Sequence, residues 1–179
     1  MKVYTRVGDD GTTGLRDGSR ISKAAPRVAA YGDVDELNAV IGVLRTEELP
    51  APAATRLEQV QATLFEVGAF LADRQARFRL SDAATQPDWL ERWIDEMDTE
   101  LEPLRNFVLP GGTRAAAIAH QARTVCRRAE RGVVALADVG EAVAATVPFL
   151  NRLSDTLFVL ARWLNRRAGT PDVRWQAGS

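Results

Sequence analysis

One cysteine and one histidine are all that 179 residues contain of the two commonest metal-ligating side chains. The lone thiol, Cys126, excludes a disulfide framework within the chain. One Cys with one His excludes an ordinary structural zinc site. A single His120 also excludes the paired Glu-x-x-His motifs of a di-metal helical bundle. No run of about 18 apolar residues is present, and the amino terminus lacks the hydrophobic segment of a secretory signal. These absences predict a cytoplasmic protein without a membrane partner. Excess charge is missing too: a net charge of −1 gives no global pull towards nucleic acid or anionic lipid. No nucleic-acid partner is therefore expected, and any anion site must be local. Neither a G-K-[S/T] phosphate loop nor a strand-borne G-x-G-x-x-G occurs. Lysine stands only at positions 2 and 23, which singles out Lys23 as a place where a compact ammonium was kept.

What is present is ordinary in amount, with 46% apolar and 26% charged residues, enough for one soluble domain spanning 1–179. Residues 1–25 show no helical pattern: Val3–Arg6 reads as a short extended piece, followed by Gly8, Gly11, Gly14 and Gly18 among Asp, Thr and Ser. From Pro26 the period becomes helical. The first helix buries Ala30, Val34, Leu37, Val40, Ile41 and Leu44, with Tyr31, Asp35, Asn38 and Gly42 on its other side. A second is expected over Ala53–Leu71 and a third over Pro87–Leu104, joined by an exposed, mobile 72–86 connection. Pro110-Gly111-Gly112 forces a turn, and Thr113 is a suitable N-cap for a fourth helix running to Leu136. The last helix, Val147–Ala168, has Pro148 at a kink or fresh start. Its polar arc carries Asn151, Asp155, Phe158 and Arg162. Such a series, with short links and no convincing strand pair, predicts an all-α antiparallel bundle over 26–169, of the four-helix-bundle or ferritin-like type. A glycine-rich loop precedes it and a tail, 170–179, follows.

The chemistry gathers in His120–Arg131, H-Q-A-R-T-V-C-R-R-A-E-R. At about 100° per residue, His120, Arg123, Arg127, Glu130 and Arg131 share an arc roughly 100° wide, opposite Ala122, Val125, Cys126 and Ala129. Guanidinium groups packed so closely repel one another unless an anion sits among them, and Arg forks well onto phosphate. A solvated, internally paired face is the alternative. In the T-R-V-G-D-D-G-T-T-G-L segment, glycines three apart can turn backbone N–H groups into one concavity for an anion. Thr5, Thr12 and Thr13 add hydroxyls there, and Arg6 and Lys23 add charge. This inventory suits the holding of charged reactants better than the supply of a nucleophile.

Taken together, T-R-V-G-D-D-G-T-T-G-L, R-V-A-A-Y-G-D-V-D-E-L-N from Arg27, F-V-L-P-G-G from Phe107, the arginine-rich block and F-L-N-R-L-S-D from Phe149 resemble the PduO-type ATP:cob(I)alamin adenosyltransferases. The resemblance implies a five-helix bundle, a homotrimer with active sites between subunits, and transfer of the 5′-deoxyadenosyl group of ATP to cob(I)alamin with release of triphosphate. ATP and cobalamin are then the substrates, with Mg²⁺ riding on the phosphates. It further implies nucleotide contacts at Thr5, Arg6, Val7, Gly8, Thr13, Gly14 and Lys23, and from the later helices at Arg127, Arg128, Ala129, Glu130, Arg131 and Asn151. Arg127 is expected to be the most critical phosphate ligand. Arg123 and Asp35 resemble a cross-subunit ion pair, Asp155 an active-site acid, and Phe107 an apolar wedge against the lower face of the corrin. The family also suggests hand-off of the product to a B12-dependent enzyme. A non-catalytic corrinoid carrier is the rival reading from another class. The chain departs from the usual pattern at Val7, where Thr is common.

Overall fold

A computed structural model describes residues 4, 6–75, 77–138 and 143–176. Five long helices and one single-turn helix follow a small hairpin: β1 (Thr12–Gly14), β2 (Arg20–Ser22), α1 (Pro26–Leu44), α2 (Ala51–Leu71), α3 (Asp82–Thr85), α4 (Asp88–Asp98), α5 (Arg114–Asp138) and α6 (Val147–Arg167). A single 3-10 turn, Ala144–Thr146, leads into α6.

Helix starts are chemically marked. Proline occupies the first turn of α1, α2 and α6, where a missing N–H costs nothing. Pro148 is thus a fresh start, not a kink. The Thr113 hydroxyl accepts the Ala116 N–H at 3.2 Å, which caps α5.

Consecutive long helices run up and down. Arg27 reaches the Leu71 carbonyl while Arg45 pairs with Glu58, so α1 and α2 are antiparallel. Thr113 meets Asn165 and Cys126 meets Leu150, which makes α5 and α6 antiparallel too. Alternation leaves α4 parallel to α6, as Arg152–Glu91 and Arg167–Glu100 require. The stripes read from the period meet in one core, where Leu37, Ile41, Leu57, Leu64, Leu153, Leu157 and Leu160 are fully buried.

Several expectations change. The amino-terminal segment holds a real antiparallel hairpin, with Thr13 opposite Ile21 and Gly14 opposite Arg20. Strands of three residues carry too little pattern to be read. The third helix stops at Asp98, well short of Leu104, and Pro103 keeps Glu102, the residue before it, from taking helix up again. The 72–86 connection is more ordered than expected: buried Asp73 accepts the N–H groups of Gln75 and Phe78, and α3 buries Ala84. Asn38 is buried inside the chain, its amide on the Gln61 carbonyl, and does not line an outer contact. His120 and Arg162, both placed on polar arcs, are buried. His120 packs against the Phe158 ring, and burial, then the nearby Arg123 charge, holds its imidazole below the usual histidine range.

Gly112 ties the two ends of the last helix pair. Its φ is +99°, and an added Cβ would stand 2.2 Å from the Asn165 amide oxygen. That amide accepts the Thr113 N–H at 2.9 Å and donates to the Gly111 carbonyl at 3.0 Å. Gly112→Ala is expected to lose roughly 2–4 kcal/mol of stability, combining left-handed strain with broken hydrogen bonds. A denaturant melt reads this directly; an unchanged midpoint would contradict it.

Candidate functional site

The glycine-rich loop is built on two side-chain turns. Asp10 accepts the N–H and hydroxyl of Thr12 at 2.9 and 2.7 Å, and Asp17 does the same for Ser19 at 2.9 and 2.5 Å. The hydroxyl bond, then the backbone bond, holds each carboxyl below the usual carboxylate range. The turns therefore persist above that range and are released in acid. Arg20 sews the loop shut, donating to the Val7 carbonyl at 2.6 Å and to the Thr12 hydroxyl, with Asp10 at 3.4 Å. Sequence reasoning passed over Arg20; its place opposite Gly14 in an unread hairpin gave no signal.

Because Gly11 and Thr12 use their N–H groups inside the loop, the expected concavity is not a simple row of glycine amides. It consists of the Arg6–Asp10 turn with side chains around it. Arg6 has φ +61°, in the left-handed region, and lies over the Tyr4 ring. A Cβ at Gly8 would stand 3.1 Å from the Thr12 carbonyl oxygen and 3.2 Å from the Lys23 ammonium. Glycine there lets Lys23 come down over the turn. Val7 is exposed, Thr13 and Gly14 form β1, and Thr5 lies outside the described residues.

On α5 the arginines divide into two sets. Arg123, Arg127 and Arg131 stand at i, i+4 and i+8, one above another, and none has an ion-pair partner among the described residues. Arg123 is half-buried with its Nε unsatisfied. Burial, then the charge of Arg127, lowers its pKa from the ordinary arginine value. Arg128 faces another way: it is bound to Asp33 at 2.9 Å and to Glu36, both on α1. It holds two helices together, and would have to leave those carboxylates to reach a nucleotide. Ala129 is fully buried and presents no side chain to the ridge. Glu130 accepts the Asn151 amide at 2.8 Å, bringing α6 up to the ridge.

The remaining residues are scattered within one chain. Asp35 is exposed on α1 and makes no ion pair with Arg123. Asp155 is paired with Arg152 at 2.8 Å, and Arg152 also reaches Glu91. Phe107 lies near the Asn165 end of the bundle, 79% exposed, with Trp175 beside it. The glycine-rich loop is at the opposite end, where the Arg16 N–H meets the Ala72 carbonyl. No hydrogen bond or ion pair joins residues 6–23 to the ridge among the described residues. Cys126 is inert: buried, donating to the Leu150 carbonyl, with burial pushing its pKa far up.

Fold and site together define a helical bundle that carries a glycine-rich loop at one end and a row of three arginines along α5. The sequence model described as Cobalamin adenosyltransferase matches residues 3–164, and the chain belongs to that family. It is 48% identical to a cobalamin adenosyltransferase of Cupriavidus metallidurans, over 98% of this chain and 94% of the relative. It is 43% identical to a corrinoid adenosyltransferase of Mycobacterium leprae, over 99% of this chain and 96% of the relative. Among solved structures, a variant PduO-type ATP:corrinoid adenosyltransferase from Lactobacillus reuteri, complexed with cobalamin and ATP, superposes with a TM-score of 0.91 at 37% identity. It covers 98% of this chain and 99% of that one.

Proposed function

We propose that this corrinoid adenosyltransferase transfers the 5′-deoxyadenosyl group of ATP to cob(I)alamin at sites shared between the subunits of a homotrimer. The carrying observation is the ridge of Arg123, Arg127 and Arg131, three guanidiniums without an ion-pair partner among the described residues. Like charges stacked on one helix face are unfavourable until an anion or a neighbour's carboxylate arrives. Arg127 and Arg131, with Asn151 held by Glu130, suit the polyphosphate. Arg123 suits the exposed Asp35 of an adjoining subunit. The loop residues Arg6, Val7, Gly8 and Lys23 grip the nucleotide from the other side.

Chemistry follows from the reactants. The cobalt(I) electron pair forms the cobalt–carbon bond at C5′, the C5′–O bond breaks, and its electrons leave with triphosphate. Because cobalt supplies the nucleophile, the protein has only to align C5′ and to stabilise charge growing on the leaving oxygen. Among the described residues no group of three or more His, Cys, Asp or Glu gathers as a metal site. A Mg²⁺ brought in with the nucleotide would supply further charge neutralisation. Phe107 is assigned to the lower face of the corrin and Asp155 to the subunit junction. No helix among the described residues is long and apolar enough to cross a membrane. We place the enzyme in the cytoplasm, with its product passed to a B12-dependent enzyme.

The direct test mixes the protein with ATP and chemically reduced cobalamin. One triphosphate should appear for each light-sensitive cobalt–carbon product. Tight binding of both ligands with neither product would make the chain a carrier.

A further inference from the structure

We infer that Trp175 is a positioning residue for the reaction, fixing the ring of Phe107 through a carboxy-terminal strap; this rests on the wedge role proposed for Phe107. A wedge must hold its place when a large macrocycle approaches. Yet Phe107 is 79% exposed and sits on a segment after α4 that has no helix of its own. Its own neighbourhood does not immobilise it.

The strap does. After Gly169 the chain turns back from α6 and lies antiparallel against residues 107–109. The Trp175 N–H donates to the Phe107 carbonyl and the Leu109 N–H to the Val173 carbonyl, both at 2.8 Å, with Val108 bridged to Arg174. Above this pairing the Trp175 ring meets the Phe107 ring edge to face, 6.3 Å between centroids at 74°. The strap is itself latched. Asp172 accepts Arg162 Nε at 2.9 Å and Asn165 Nδ2 at 3.2 Å, and Arg162 also donates to the Glu102 carbonyl at 3.0 Å. Arg162 is buried, so this ion pair is shielded from solvent and orders the backbone on both sides. A cleft of about 570 Å³ opens between Leu104–Phe107 and Trp175–Gln176. Phe107 and Trp175 line this cleft together, and the packed Trp175 ring stands against rotation of the Phe107 ring on that side. Sequence reasoning treated 170–179 as a tail, because three-residue pairings leave no periodic signal.

The experiment compares Trp175→Ala, Trp175→Leu and Trp175→Phe with wild type and Phe107→Ala, all as assembled full-length enzyme. Each is assayed with pre-reduced cob(I)alamin and with a cobalt(II) substrate plus reductant. The fraction of four-coordinate cobalt(II) is read by electron paramagnetic resonance. Trp175→Ala and Trp175→Leu should lower the cobalt(II)-coupled kcat about tenfold and reduce the four-coordinate signal. The KM for ATP should stay unchanged, and pre-reduced turnover should stay within about twofold. Trp175→Phe, which keeps an aromatic edge, should restore most of the loss. A wild-type four-coordinate signal in Trp175→Ala would overturn the inference, as would equal losses in both assays. If Phe107→Ala separates the two assays and the Trp175 variants do not, only the strap inference fails. If Phe107→Ala does not separate them, the wedge reading fails first.

Discussion

Arg127→Ala is expected to abolish nearly all adenosyltransfer while leaving fold and assembly intact. Arg127 is exposed and has no ion-pair partner among the described residues, so its removal costs the fold within about 0.5 kcal/mol. It even relieves Arg123, whose charged form is disfavoured by burial and then by Arg127. At the transition state the balance reverses. Charge builds on the triphosphate oxygen, and loss of one preorganised donor of this kind costs on the order of 10²–10³ in kcat, roughly 3–4 kcal/mol. Steady-state kinetics with pre-reduced cobalamin, beside a thermal melt and a sedimentation run, separates the two effects. Near-wild-type turnover would remove phosphate binding from the ridge.

Phe107→Ala is expected to separate two assays that differ only in the starting oxidation state of cobalt. An apolar ring against the lower corrin face displaces the lower axial ligand and favours four-coordinate cobalt(II), which is more easily reduced. Alkylation of cob(I)alamin, already four-coordinate, does not need that help. The reduction-coupled rate should therefore fall by about 10²-fold or more, and the pre-reduced rate by no more than about tenfold. The exposure of Phe107 makes a folding defect a poor explanation of any such loss. Equal losses in both assays would count against the wedge.

The parts of this architecture that repeat were legible in the chain. Apolar residues three and four apart on α1, α2, α5 and α6 marked the core, and Pro26 marked the start of the first helix. The arc on α5 joined Arg123, Arg127 and Arg131 with His120, which is buried, while Arg128, expected from the resemblance to contact the nucleotide, pairs with α1. What escaped was short or tertiary. His120 and Arg162 lie within the polar arcs of their helices, and only tertiary neighbours bury them, with Phe158 packed against His120. Arg162 is drawn inward by Asp172, ten residues away on a strap that only the folded chain brings back. Arg20 acts through a hairpin of three-residue strands. The candidate site was legible as residue types but not as a place, because no hydrogen bond or ion pair joins residues 6–23 to the ridge among the described residues.

That separation is the central claim: the amino-terminal loop of one subunit and the arginine ridge of its neighbour together hold the polyphosphate. Mixing two inactive proteins tests it, one carrying a crippled loop (Lys23→Ala with Arg6→Ala), the other a crippled ridge (Arg127→Ala). If sites form between subunits of a cyclic trimer, dissociation and random reassembly creates intact sites at about a quarter of the interfaces, and activity returns to about that fraction of wild type. If each subunit builds its own site, every site keeps one defect, and the mixture stays as inactive as its parents.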